Sequence, residues 1–194
     1  MERSLFTRMR VNVWRTKKLA LVLVGLLMLS LCTACGAKGK NQDPTKITGE
    51  VFDAGNVSAI APKGWKAFPV SDVFDAYEGD NNPNSIYLCK GAKNEFDLFS
   101  KPLVTITYYG PDTIYYSAKS LFEDAKDIEG FTLGDYDWAG YEYASFEDAK
   151  TIMVEAVKDD ITITACFLTK TGNQTLSLED PDIQAILANI KVTE

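Results

Sequence analysis

Residues 151–157 and 161–168 are both rich in β-branched and apolar side chains, and only Lys158-Asp159-Asp160 separates them. Two strands joined by so short a link must return antiparallel, because a parallel pair needs a crossover of about a dozen residues. The same texture recurs upstream. Residues 57–61 run through Pro62-Lys63-Gly64, a turn signal, into residues 65–68, which predicts a strand, a tight turn and a strand. Residues 86–90 and 103–108 alternate with period two, and further strands are expected over 131–136 and 141–146.

Two helices are expected between these strands. Ile114, Ala118, Leu121, Phe122, Ala125 and Ile128 recur at helical spacing, with Asp112 placed to cap the start and Gly130 the end. Near the carboxyl end Asp180-Pro181 sets a cap and a first-turn proline ahead of Ile183, Ile186, Leu187 and Ile190. Each helix would carry one apolar stripe that needs a sheet face to bury against. The expected fold class is therefore α+β, an antiparallel β-sheet packed by helices, in a single domain over residues 47–194.

The amino-terminal segment bears on targeting. The first 34 residues hold six basic side chains (Arg3, Arg8, Arg10, Arg15, Lys17, Lys18) and one acid, Glu2, and residues 19–31 run without a charge. At about 1.5 Å per residue that run is short of the roughly 20 residues a transmembrane helix needs, and fits the apolar region of a signal peptide. It ends Leu31-Cys32-Thr33-Ala34-Cys35-Gly36. That ending resembles the lipobox of bacterial lipoproteins, in which small residues precede a cysteine that is lipidated and becomes the new amino terminus. The resemblance implies a signal peptide over residues 1–34 and a diacylglyceryl group on Cys35. It also implies residence on the extracytoplasmic face of the cell membrane, held by that anchor.

The sequence departs from the lipobox at Cys32, which stands where leucine, valine or isoleucine is usual; reduced cysteine behaves as a small hydrophobe. Residues 36–46 carry no hydrophobic side chain beyond one alanine and read as a flexible tether.

Several features of residues 50–192 also resemble a known domain. They are Ala61-Pro62-Lys63-Gly64-Trp65 after an early strand, the expected central helix, Tyr141-Glu142-Tyr143, and the closing Ile186-Leu187-Ala188-Asn189-Ile190-Lys191-Val192. Together they resemble PsbP-like, or Mog1-like, α/β/α sandwich domains, whose members have unrelated duties, so the resemblance implies a shape and no activity.

From Cys35 onward the chain has 14 basic and 26 acidic residues, a net charge of −12, with neither arginine nor histidine. So acidic a domain is poorly matched to nucleic acid, and bidentate capture of phosphate and imidazole chemistry are both missing from it. No phosphate loop, nucleophile elbow or zinc-protease helix is present, and no cofactor is expected. Paired carboxylates could still serve an envelope hydrolase, and an assembly factor for a membrane complex is a further alternative.

The acidic loop from Asp72 to Asn82 fails the calcium-loop test. Counting from Asp80, Asn82 and Asn84 fit, but Ser85 stands where glycine belongs and Gly91 where glutamate belongs. No metal site is expected. Aromatic side chains beside turns are the remaining ligand candidates, and Trp138, Tyr136 and Tyr141 lead them. Cys89 and Cys166 fall in expected strands, as a disulfide or as two buried thiols. The function expected is a non-enzymatic binding or accessory domain tethered to the membrane, with a protein or small-ligand partner.

Overall fold

The computed structural model describes residues 43–71, 81–145 and 149–193. Twelve strands and one α-helix are formed among them. Strands β3 (Trp65–Ser71), β4 (Asn81–Lys90), β5 (Leu103–Tyr109), β6 (Lys126–Leu133), β7 (Tyr136–Ala144), β8 (Lys150–Lys158) and β9 (Ile161–Leu168) make one sheet. Its order is β3-β4-β5-β9-β8-β7-β6, antiparallel throughout. A second sheet, β1-β2-β12, joins β1 (Gly49–Asp53), β2 (Val57–Pro62) and β12 (Lys191–Val192), and β10 (Lys170–Thr171) pairs with β11 (Gln174–Thr175). The helix, α1, spans Pro181–Ala188.

Period-two alternation decides which side chains enter the core. Val104, Ile106, Ile152, Val154, Ala156, Ile163, Ala165 and Phe167 all project from one face of the large sheet and are buried, as the register Val104↔Phe167↔Ile152 and Ile106↔Ala165↔Val154 requires. Ile183, Ile186 and Leu187 of α1 and Val57, Ala59 and Ala61 of β2 complete the same cluster. Each fully buried aliphatic side chain contributes about 1.5–3 kcal/mol. Asp182 fastens the helix to the sheet, its Oδ2 accepting from Trp65 Nε1 at 3.0 Å and pairing with Lys90 Nζ at 3.2 Å.

The β8–β9 hairpin forms as expected, Lys158 facing Ile161 across Asp159-Asp160, with Asp159 at φ 53°. The Pro62-Lys63-Gly64 turn also forms, but the strands it links belong to different sheets, so it turns a corner between layers. The helix expected at residues 181–190 is present to Ala188, with Pro181 in its first turn. Asp180 does not cap it; its carboxylate accepts from Ser177 N at 3.0 Å instead.

The expected α+β sandwich, a sheet packed by helices in the α/β/α manner, is corrected to a β-rich fold of antiparallel sheets with one α-helix among the described residues. The correction rests on residues 114–128. There the chain is irregular, with a short 3-10 helix, Ala118–Leu121, and a turn at Glu123-Asp124, and then enters β6. Thr113, Tyr115, Tyr116 and Ser117 are poor helix formers, and Tyr115 and Ser117 spend their hydroxyls on Glu155 of β8. Ile114 and Leu121, which should have shared a buried stripe, are 77% and 78% exposed. The expected strand over 131–136 is split by the Gly134-Asp135 turn between β6 and β7.

The lipobox-like ending with Cys35, and residues 72–80 of the acidic loop, lie outside the described residues. The end of the expected tether forms a 3-10 turn, Pro44–Lys46, packed against α1, with Asp43 accepting from Thr45 N at 3.1 Å.

Candidate functional site

The large sheet has a second face, and its composition differs sharply from the first. The same parity that buries Ile and Val on one side places threonine, tyrosine, cysteine and glutamate on the other. One row across the strands is Thr105, Cys166, Met153 and Tyr141; the next is Thr107, Thr164 and Glu155. Two irregular segments partly cover this face: residues 91–102, between β4 and β5, and residues 110–125, the crossing from β5 to β6.

The 110–125 crossing is fastened at three points. Glu155 Oε1 accepts from Tyr115 Oη at 2.5 Å and from Ser117 Oγ at 2.8 Å. The Phe122 ring stacks on Tyr143, centroids 3.8 Å apart, and Asp124 Oδ2 accepts from Ala144 N at 2.7 Å. Tyr109 packs on Tyr115 at 4.7 Å. Burial, and then the hydrogen bond to Glu155 and its charge, push the Tyr115 phenol well above its ordinary range, so it stays a donor. Tyr141 is buried beneath the crossing and its hydroxyl makes no hydrogen bond of ordinary geometry. Ser117 lies near enough to favour the Tyr141 phenolate slightly, but burial outweighs it and raises the phenol.

The 91–102 segment is rigidly built. Asn94 Oδ1 accepts from Phe96 N at 3.1 Å, and Asp97 Oδ2 accepts from Lys93 N at 2.6 Å and Asn94 N at 3.3 Å, closing a capping box on the 3-10 helix Glu95–Phe99. Lys101 Nζ pairs with Asp97 at 3.1 Å and donates to Gly91 O at 2.6 Å. Those backbone donors, joined by Lys101, hold the Asp97 carboxyl below its usual range.

Between this segment and the sheet lies a cleft of about 310 Å³. Leu98, Phe99, Leu103 and Leu168 form its walls; Thr105, Thr151, Tyr143 and Cys166 form its floor. Thr151 is 4% exposed and its buried Oγ1 makes no hydrogen bond of ordinary geometry, although it lies near enough to the Tyr143 hydroxyl to favour that phenolate slightly. The Tyr143 phenol is pushed up to about 12, by burial first and then by Cys166 and Tyr141, and burial likewise raises the Cys166 thiol. The floor is therefore polar, uncharged at neutral pH, and incompletely bonded. A thiol held protonated is a poor nucleophile, so Cys166 suits contact better than covalent chemistry.

The three aromatic candidates do not converge. Trp138 and Tyr136 lie on the core face, edge to face at 5.9 Å, and the Trp138 indole N–H donates to Leu133 O at 3.2 Å. Tyr141, an odd number of residues from Trp138, lies on the second face. Thr151, Cys166 and Glu155 were not singled out as site residues by sequence reasoning. The signal that could have found them is the alternation of threonines at 105 and 107 against 162 and 164, which marks one sheet face as polar.

Cys89 and Cys166 are both free. Cys89 faces Leu103 and Cys166 faces Thr105, so β5 runs between them, and two inter-strand spacings of about 4.8 Å exceed a disulfide's reach. A smaller depression of about 170 Å³ holds Asp124 and Glu142 together. Both acids are engaged, Asp124 with Ala144 N and Glu142 with Lys150 Nζ at 3.1 Å. No group of three potential metal ligands occurs among the described residues, and no helix among them is long and apolar enough to cross a membrane.

No protein-family model matches the sequence, and no curated protein does. Among solved structures, a crystal structure of a protein from Bacteroides thetaiotaomicron matches with a TM-score of 0.44 and 10% identity. The match covers 76% of this chain and 49% of that one, so the chain spans about half of that protein's length.

Proposed function

We propose that this chain is a membrane-anchored, non-enzymatic binding module, lipidated on Cys35 and presenting the cleft over β5, β9 and β8 to a ligand. The observation that carries the binding part is the cleft floor, where Thr151 Oγ1 is buried with no hydrogen bond of ordinary geometry, only the nearby Tyr143 hydroxyl. Native proteins bond nearly all such groups, and an exception lining a cavity is what a ligand atom would complete. The volume lies at the lower end of the range of small-molecule sites, about 300–1,000 Å³. The reading favours binding over catalysis because the floor carries no titratable group poised near neutral pH; Tyr143 and Cys166 are both pushed upward.

The anchor reading is supported by the uncharged run of residues 19–31 followed by Thr33-Ala34-Cys35. Two acyl chains on Cys35, at about 0.8 kcal/mol per buried CH₂, give stable attachment. Intact-mass measurement of the mature protein should find a diacylated Cys35 as the amino terminus, and Cys35→Ala should leave the precursor uncut; a processed, unlipidated terminus elsewhere would refute the anchor. For the cleft, a fragment screen read by methyl chemical shifts should concentrate its hits on Leu103 and Leu168. Hits scattered over the surface, or none, would refute the binding site.

A further inference from the structure

The cleft's chemistry restricts what it can hold. We infer that its ligand is an uncharged small molecule with a compact apolar body and a hydroxyl or carbonyl group that meets the Thr151 hydroxyl. The inference rests on the binding reading above and adds the ligand's class to it.

Charge is the first discriminator. Among the described residues lining the cleft, Lys101 is the one charged side chain, and its ammonium already serves Asp97 and Gly91 O. Among the described lining residues an anionic ligand would find no free cation, and a cationic one no carboxylate. Burying either charge unpaired is strongly unfavourable, whereas an uncharged group carries no such penalty. The four polar floor residues, Thr105, Thr151, Tyr143 and Cys166, offer neutral hydrogen bonding, and burial holds Cys166 and Tyr143 in their protonated forms.

Shape is the second. The walls are Leu98, Phe99, Leu103 and Leu168, and Phe99 is 90% exposed. An apolar body seated between these side chains would remove them from water while its polar end reached the floor. The arrangement is the usual one for a small-molecule site, mostly apolar with a few polar groups that fix orientation.

The test uses hexanol, hexanoate and hexylammonium, three probes with one chain and different heads. Each is titrated into the full chain in uncharged phosphatidylcholine nanodiscs. Binding is read from methyl shifts of Leu98, Leu103 and Leu168, with Val57 and Ile183 in the distant core as reference. Hexanol is expected to shift the cleft methyls saturably, at least tenfold more tightly than either charged probe. In Thr151→Val, hexanol affinity should fall about fivefold, the worth of one hydrogen bond. A charged probe that matches or exceeds hexanol at the same methyls overturns the ligand class and leaves the site standing. Failure of all three probes to move the cleft methyls overturns the site itself. Unchanged hexanol affinity in a folded Thr151→Val protein overturns the role given to the hydroxyl.

Discussion

Replacing Thr151 by valine should make the protein more stable. Thr151 lies in β8 between Tyr143 of β7 and Leu168 of β9, on the second face of the sheet, 4% exposed. Its Oγ1 has given up water and makes no hydrogen bond of ordinary geometry. Valine has nearly the same shape and an equal preference for strands, so the substitution deletes the unmet polar group while leaving the packing in place. A buried polar group without a bond costs about 1–3 kcal/mol. The lower end applies here, since the Tyr143 hydroxyl is near enough to stabilise the threonine dipole in part. A gain of about 1 kcal/mol corresponds to a rise in Tm of about 2–4 °C for a domain of this size. Thermal unfolding by circular dichroism, with urea denaturation to obtain the free energy at 25 °C, measures it. A fall in stability of 1 kcal/mol or more would mean that the hydroxyl is bonded in solution, and the argument for an unfilled site at the cleft floor would fail with it. The same variant is expected to bind more weakly, so stability and affinity should move in opposite directions, as at sites kept incomplete for a ligand.

Tyr141→Phe removes a second buried hydroxyl that makes no hydrogen bond of ordinary geometry and should be neutral or stabilising by up to about 1 kcal/mol in the same denaturation assay. Trp138→Ala empties the centre of the core and breaks the bond to Leu133 O, so a loss of about 3–5 kcal/mol is expected, visible as a much lower urea midpoint. Gly134→Ala should destabilise by about 2 kcal/mol or more, because residue 134 sits at φ +64° and an added Cβ would lie 2.5 Å from Ala188 O. Alkaline titration should lower stability: the folded Cys166 and Tyr143 groups keep their protons past the ordinary values of 9.0 and 10.0, so the unfolded chain ionises first. Their contribution is complete below those values and is lost as pH rises toward about 12, which a series of urea midpoints would reveal.

The parts of the fold legible in the sequence were those governed by neighbours in the chain. The β8–β9 hairpin followed from its short Lys158-Asp159-Asp160 link, and the carboxyl-terminal helix from Pro181 and the spacing of Ile183, Ile186 and Leu187. The error at residues 114–128 has a physical cause of the opposite kind. Helical spacing was present there, but the partners of Tyr115 and Ser117 lie on β8, some 40 residues away, and those bonds tie the segment to the sheet in an irregular conformation. Spacing in one segment carries no information about a hydroxyl's distant acceptor. Trp138 and Tyr136 were placed beside Tyr141 by proximity in sequence, whereas the odd interval from Trp138 to Tyr141 puts those two rings on opposite faces.

The sequence by itself determined that the chain after Cys35 is acidic and lacks arginine and histidine, that many of its segments favour strands, and that an uncharged run ending at Cys35 precedes them. Composition, period and local turn chemistry are properties of adjacent residues and need no fold to be read. Only the tertiary structure decided which face of the large sheet became core and which stayed polar. It alone set Thr151, Tyr143 and Cys166, from three strands, beneath one segment braced by Asp97 and Lys101. That assembly depends on inter-strand register and on a crossing that is helical in its spacing yet largely irregular in the fold, and both are set by contacts between residues far apart in the chain.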